Sequence, residues 1–144
     1  MENKLHLVSE ALGKAHAKLM SDLGDLDNLV RSARAGKAGE LVQRLSVLKD
    51  HICEHFRFEE KNGYMDGVLQ RAPQRKKTVD QLLQEHQQLV QALNALHDEV
   101  QSKSTVGEGD FFKLREWIEA VRQHEARENR LVEEVLNLDI APED

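Results

Sequence analysis

Cysteine, proline and aromatic residues are scarce in this chain of 144 residues. The single cysteine, Cys53, excludes an intramolecular disulfide framework, and a reducing cytoplasm is the expected location. The only prolines are Pro73 and Pro142, so long stretches are free to form helix. Runs of Val, Ile, Thr and Tyr that are typical of strands are missing, whereas Leu, Glu, Gln, Lys and Ala are abundant. These features predict an all-α protein.

Long apolar runs and clustered positive charge are also missing. No stretch approaches the roughly 20 apolar residues that cross a bilayer, and no signal-peptide pattern is present, so no membrane association is expected. The net charge is -6, and the only basic run is Arg75 to Lys77, which argues against nucleic acid as a partner. The length fits one domain over residues 1–144, large enough to bury its own core.

Apolar residues recur at alternating three- and four-residue steps in four long segments. The first predicted helix runs from about Lys4 to Arg34, before the glycines at 36 and 39, and the second runs from about Glu40 to Gln70. The third opens with a capping-box pair, Thr78 and Gln81, and the fourth follows Asp110 as N-cap. Long helices with short connections are typical of an up-down-up-down antiparallel four-helix bundle.

Six positions on these apolar seams are polar. They comprise at least one histidine from every predicted helix and two glutamates: His16, His55, Glu59, His86, His124 and Glu128. An α-helix rises about 1.5 Å per residue and neighbouring helices run antiparallel, so counting from the loops puts all six at one level of the bundle. The sequence therefore predicts that these six side chains meet in the interior.

Two carboxylates buried without compensating charge would cost a large part of the about 5 to 15 kcal/mol that stabilises a fold. A single seam histidine is usually a hydrogen-bonded core residue, but six polar positions at one level favour a metal site. Imidazole nitrogen and carboxylate oxygen are ligands for first-row transition metals. We expect two ions bridged by Glu59 and Glu128, each ion with two histidines and an open position.

The same residues resemble the hemerythrin-like, or HHE cation-binding, family. The resemblance extends over nearly the whole chain, through "AHAKLMSDL", "HFRFEE", "EHQQLVQAL" and "QHEARENRL". Its specific feature is a pair of HxxxE repeats, at His55 and His124, each with a lone seam histidine ahead of it. The resemblance implies a non-heme centre of two iron ions, oxo- or hydroxo-bridged and held by the six residues. The resemblance also implies that such a centre reacts with dioxygen, hydrogen peroxide or nitric oxide, with a redox partner as a possible source of electrons.

The chain departs from oxygen-carrying members of that family at two positions. Their third helix offers HxxxH, whereas here Val90 stands one turn after His86, and their last carboxylate is an aspartate at a five-residue step, whereas here it is Glu128. With four histidines both ions are expected to have an open position, which favours turnover, such as a peroxidase-like reaction, or sensing over reversible carriage. His51, about 40° around the helix from His55, is an alternative fifth nitrogen donor.

The sequence also bears on several rival functions. A ferritin-type di-iron site is excluded because no histidine has a glutamate three residues before it. A histidine phosphotransfer module needs one exposed histidine rather than four buried ones. Non-catalytic sensing of oxygen or iron, and iron storage or delivery, stay open, as do manganese or zinc in place of iron. Glu60 and Arg127 are interpreted as exposed charges, with support of the ligands as the alternative.

Overall fold

The computed structural model describes residues 2–32, 38–61, 64–103 and 105–137. These residues form α1 (Glu2–Ser32), α2 (Ala38–Lys61), α3 (Tyr64–Arg71), α4 (Lys76–Gln101) and α5 (Glu108–Leu136), with a 3-10 turn at Pro73–Arg75, and no strand occurs among them. The four long helices pack in a ring, in which α1 contacts α2 and α5, and α4 contacts the same two helices. The predicted all-α four-helix bundle is confirmed.

The second predicted helix is divided in the structure. Helix α2 ends at Lys61 rather than near Gln70, and the separate short helix α3 begins at Tyr64. The intervening Asn62 and Gly63 lie outside the described residues, but an Asn-Gly pair is a turn signal in the sequence. The short helix packs against α5 and extends the bundle at the end beyond the polar residues of α2.

Two predicted helix starts were misplaced, and one predicted end is untested. Helix α4 begins at Lys76 without a side-chain cap, so the capping box at Thr78 is wrong. Helix α5 begins at Glu108 with Gly107 as N-cap, and Asp110 occupies the third position of the first turn. The Asp110 carboxylate accepts the Gly107 N–H from there at 3.0 Å, which satisfies a donor that the helix itself leaves free. The predicted end of the first helix near Arg34 lies outside the described residues.

The buried core consists of two apolar clusters separated by a polar layer. Along α1 the side chain of Leu12 belongs to one cluster and that of Leu19 to the other, with His16 between them. Along α5 the same division falls between Val121 and Leu131. Helices α1, α4 and α5 thus carry apolar residues on both sides of their polar positions, and α3 supplies the apolar residues beyond the polar positions of α2. This arrangement holds the polar layer inside the bundle.

None of the helices in the described part of the chain combines the length and apolar character that a membrane crossing requires.

Candidate metal centre

Five of the six residues predicted from the sequence come together in the polar layer. They are buried, and they form two groups of donor atoms that each lie within 4.8 Å of one another. The first group contains Glu59, His86, His124 and Glu128, and the second contains His55, Glu59 and Glu125. Because Glu59 belongs to both, the two groups are adjacent and share one carboxylate.

The first group has the spacing of ligands around a single ion. The Nε2 atom of His86 lies 2.6 Å from Oε1 of Glu128 and 3.3 Å from Oε1 of Glu59. The Nε2 atom of His124 lies 3.0 Å from the same Glu128 oxygen. Donors at right angles on bonds of about 2.1 Å are about 3.0 Å apart, so these atoms are spaced to share one cation.

In the second group, the two carboxylates converge on the Nε2 atom of His55. This nitrogen lies 3.1 Å from Oε2 of Glu59 and 3.0 Å from Oε2 of Glu125. An imidazole nitrogen carries at most one proton, which points in one direction. Two carboxylate oxygens at the same nitrogen therefore fit a shared cation better than a shared proton.

Glu125, which follows His124 and lies beside the apolar seam of its helix, was not among the predicted residues. Its side chain is completely buried, with 0% relative exposure. The oxygen that contacts His55 also lies 3.3 Å from Nδ1 of His16. His16 itself is in neither donor group of the described residues and sits at the edge of the layer, where Nδ2 of Asn129 also approaches it at 3.3 Å. His16 thus reaches the centre through Glu125.

The outer nitrogens of two histidines are held by further carboxylates. Nδ1 of His86 lies 2.7 Å from Oε2 of Glu60, and Nδ1 of His124 lies 2.7 Å from Oε1 of Glu85. Arg127 donates to both oxygens of Glu85 at 2.8 and 2.9 Å. Glu60 and Arg127 are exposed as predicted, and in addition they support the layer. Such partners orient a ligating imidazole and increase its basicity.

Aromatic packing further fixes the first group. The ring of Phe56 stacks on that of His86 with centroids 4.0 Å apart and planes 7° from parallel. The same ring meets His124 edge-on at 5.6 Å. One phenylalanine therefore restricts the orientation of both imidazoles.

The pKa values show how protons compensate the layer when no cation is present. Burial lowers the pKa of His86, but its hydrogen bond to Glu128 and its close contact with Glu59 outweigh it and raise this pKa to about 10. Burial and repulsion from Glu128 and Glu125 raise the pKa of Glu59 well above its ordinary value. Burial opposes ionisation of Glu128, yet the close contact with His124 and the hydrogen bond from His86 lower its pKa. Cation binding must therefore displace protons from this layer.

Several buried polar atoms of the layer have no hydrogen-bond partner among the described residues. One oxygen of each of the three central carboxylates is among them: Oε1 of Glu59, Oε1 of Glu125 and Oε2 of Glu128. The others are Nδ1 of His55 and Nε2 of His124. A buried polar group without a partner costs about 1 to 3 kcal/mol, and more when it is charged. Cations bound to the carboxylates would remove this cost, so the residues present fit a metal centre.

The alternative donor His51 lies apart from both groups. Its Nδ1 atom is 2.9 Å from Oδ2 of Asp22, and a third of its side chain is exposed. The pair lines an open groove between α1 and α2 that also borders His55. His51 therefore faces the approach to the centre and contributes to neither group of donors.

The model of the hemerythrin HHE cation binding domain matches residues 7–136 of this chain. The match covers most of the sequence, and its family description agrees with the bundle and with the buried layer of histidines and glutamates. The chain belongs to the hemerythrin HHE cation-binding family. Comparison with curated proteins and with solved structures returns no match.

Proposed function

We propose that this chain is a hemerythrin-like protein with two iron ions at one carboxylate-bridged centre, which reacts with dioxygen, hydrogen peroxide or nitric oxide. The observation that carries the proposal is that two adjacent groups of buried donors share Glu59. A shared carboxylate between nearby sites is an arrangement suited to two ions. We further propose that residues 1–144 form one domain and that it acts in the cytoplasm, where a single free cysteine such as Cys53 stays reduced.

The ligand assignment follows the two donor groups. One ion would be held by His86, His124, Glu59 and Glu128, and the other by His55, Glu59 and, at the edge of the layer, His16. The second oxygen of Glu128 is buried and has no hydrogen-bond partner among the described residues, so it is free to serve as a second bridge. The oxo or hydroxo bridge implied by the family resemblance would complete the centre.

Iron bound here would supply one-electron redox chemistry, and the chain would supply its setting. The histidines offer neutral nitrogen donors and the three carboxylates offset the cationic charge. Phe56 and the apolar clusters on either side of the layer exclude bulk water from it. These surroundings would admit only small molecules to the centre, which is consistent with a diatomic molecule or a peroxide as the reactant. A redox partner would return the ions to their starting state.

A second candidate function, exchange of iron for sensing or delivery, is favoured by the groove that borders His55. Its lining includes Asp22, His51 and Glu54, which are groups able to pass a cation toward the interior. A protein that delivers iron would lose it readily to a chelator, whereas a centre built for turnover would retain it.

The deciding experiment is metal analysis of the protein purified from its own host, followed by optical spectra before and after addition of hydrogen peroxide, oxygen or nitric oxide. We expect about two irons per chain and an oxo-bridge absorption band in the near ultraviolet. Catalytic decay of peroxide would identify an enzyme, and a stable reversible complex without turnover would identify a sensor. A correctly folded protein without metal, or with zinc alone, would contradict the proposal.

A further inference from the structure

The polar layer contains three buried carboxylates, of which the resemblance accounts for Glu59 and Glu128 only. We infer that the third, Glu125, is a terminal ligand of the ion on the His55 side. This inference rests on the proposed two-ion centre and adds a donor that neither the HxxxE repeats nor the seam pattern contains. It also makes the two ion positions chemically different.

Burial is the first step of the argument. The side chain of Glu125 has no exposed surface, and its contacts in the described part of the chain are to His16 and His55 rather than to lysine or arginine. A carboxylate in that position is costly unless a charge opposes it. Either protonated imidazoles or a bound cation must supply this charge.

The contacts of His55 distinguish these two sources. Its Nε2 atom faces Glu125 at 3.0 Å and Glu59 at 3.1 Å, and one N–H cannot point along both directions. A cation between the three side chains satisfies both carboxylates and leaves His55 neutral.

The other ion position already contains the two carboxylates Glu59 and Glu128, and its histidines have further support. There the outer nitrogens of His86 and His124 donate to Glu60 and Glu85, which increases the donor strength of both imidazoles. Nδ1 of His55 has no such carboxylate among the described residues. Glu125 compensates by lying directly at the ion position, so its removal would affect the second ion and spare the first.

The test compares Glu125→Gln with Glu119→Gln, which is the same change at an exposed position of the same helix. Each metal-free protein would be titrated with cobalt(II) by equilibrium dialysis. Wild type and Glu119→Gln are expected to bind two ions, whereas Glu125→Gln binds one with unchanged affinity and the second at least about tenfold more weakly. A Glu125→Gln variant that binds both ions with wild-type affinity would overturn the inference, as would one that is folded and loses both equally.

A second variant protects the test against misfolding. Glu125→Asp keeps the negative charge but withdraws the carboxylate by one methylene, so it preserves charge compensation while it weakens a ligand bond. We expect a helical circular dichroism spectrum, one tight cobalt ion and a weakened second one, and wild-type binding of both ions would again overturn the assignment. If wild type itself binds fewer than two ions, the two-ion function fails instead, so the two failures are distinguishable.

Discussion

Oε1 of Glu85 lies 2.7 Å from Nδ1 of His124, on the side of the imidazole away from the centre of the polar layer. Burial raises the pKa of Glu85, but hydrogen bonds from Arg127 and His124 outweigh it and lower this pKa. The ionised carboxylate therefore accepts the Nδ1 proton, which leaves Nε2 free to face Glu128. This contact determines that Nε2 of His124, rather than Nδ1, is available to bind a metal ion.

Glu85→Gln should weaken metal binding at the His86 and His124 position. The amide preserves the shape of the side chain but removes the negative charge that increases the donor strength of His124. Loss of such a partner typically lowers metal affinity by about 10- to 100-fold. Competition with a chromophoric chelator would measure the change, and Glu116→Gln, at an exposed position of α5, is the matched control. Equal affinities for the two variants would contradict the role given to Glu85.

Glu59→Ala should lose both ions together, because this carboxylate belongs to both donor groups. Metal binding is coupled to folding, so in the presence of excess metal the variant should also show a lower Tm than wild type. Metal analysis and a thermal melt would check the two outcomes. A variant with full iron and an unchanged melt would disprove the bridging assignment.

His51→Ala provides the contrasting variant on the same helix. Its imidazole contacts Asp22 at the approach to the centre and is in neither donor group of the described residues. We expect two ions per chain and an unaltered optical spectrum, with any effect limited to the rate of metal uptake. Loss of one ion at equilibrium would show instead that His51 is a fifth nitrogen ligand.

Metal-free protein should become less stable as the pH rises from 6 to 9. The pKa of His86 is raised from 6.5 to about 10, so its stabilising contribution is complete below 6.5 and is lost as the pH rises through 10. The pKa of Glu128 is lowered, so its contribution is present above 4.5 and is lost only in acid. Urea midpoints at the two pH values would measure the difference.

Metal affinity should change in the opposite direction over the same interval. Ligands must be free of protons to bind a cation, so metal affinity increases with pH as His86 loses its proton.

The prediction for the metal-free protein has a clear contrary outcome. A urea midpoint at pH 9 that equals or exceeds the midpoint at pH 6 would show that the histidines of the polar layer are not held in the protonated form.

Gly24→Ala should stabilise the bundle without affecting the centre. Gly24 lies within α1, and a Cβ atom at this position would meet nothing within 4 Å. Alanine removes the entropic cost of glycine in a helix, a gain of about 1 kcal/mol. Denaturant unfolding would measure it, and metal content serves as the control. A lower free energy of unfolding would mean that glycine is required here by something other than space.

The seam pattern was sufficient to predict the bundle and the meeting of five histidine and glutamate residues, because a buried stripe repeats at fixed steps. Glu125 was not predicted because the prediction considered only one apolar stripe on each helix. The buried face of α5 is wider than one stripe, and Ile118, Glu125, Asn129 and Val132 follow the same spacing one residue away. A second trace along that helix would have found the third carboxylate.

The carboxylates that contact the outer nitrogens of the histidines could not be predicted from the sequence, for a different reason. Glu85 precedes His86 in the sequence, yet it contacts His124 on another helix. Such a contact depends on how far two helices are rotated about their axes and on side-chain rotamers, which periodicity does not specify. The break between α2 and α3, by contrast, carries a turn signal at Asn62 and Gly63 that outweighs the apolar spacing on either side.

Both candidate ion positions take donors from the last helix, and the histidine and glutamate that meet at one edge of the layer are 109 residues apart in sequence. A growing polypeptide on the ribosome therefore possesses neither position until α5 has been synthesised and has docked. Completion of the candidate centre is consequently a late step of biogenesis, and prematurely terminated products lacking α5 have neither complete group of donors.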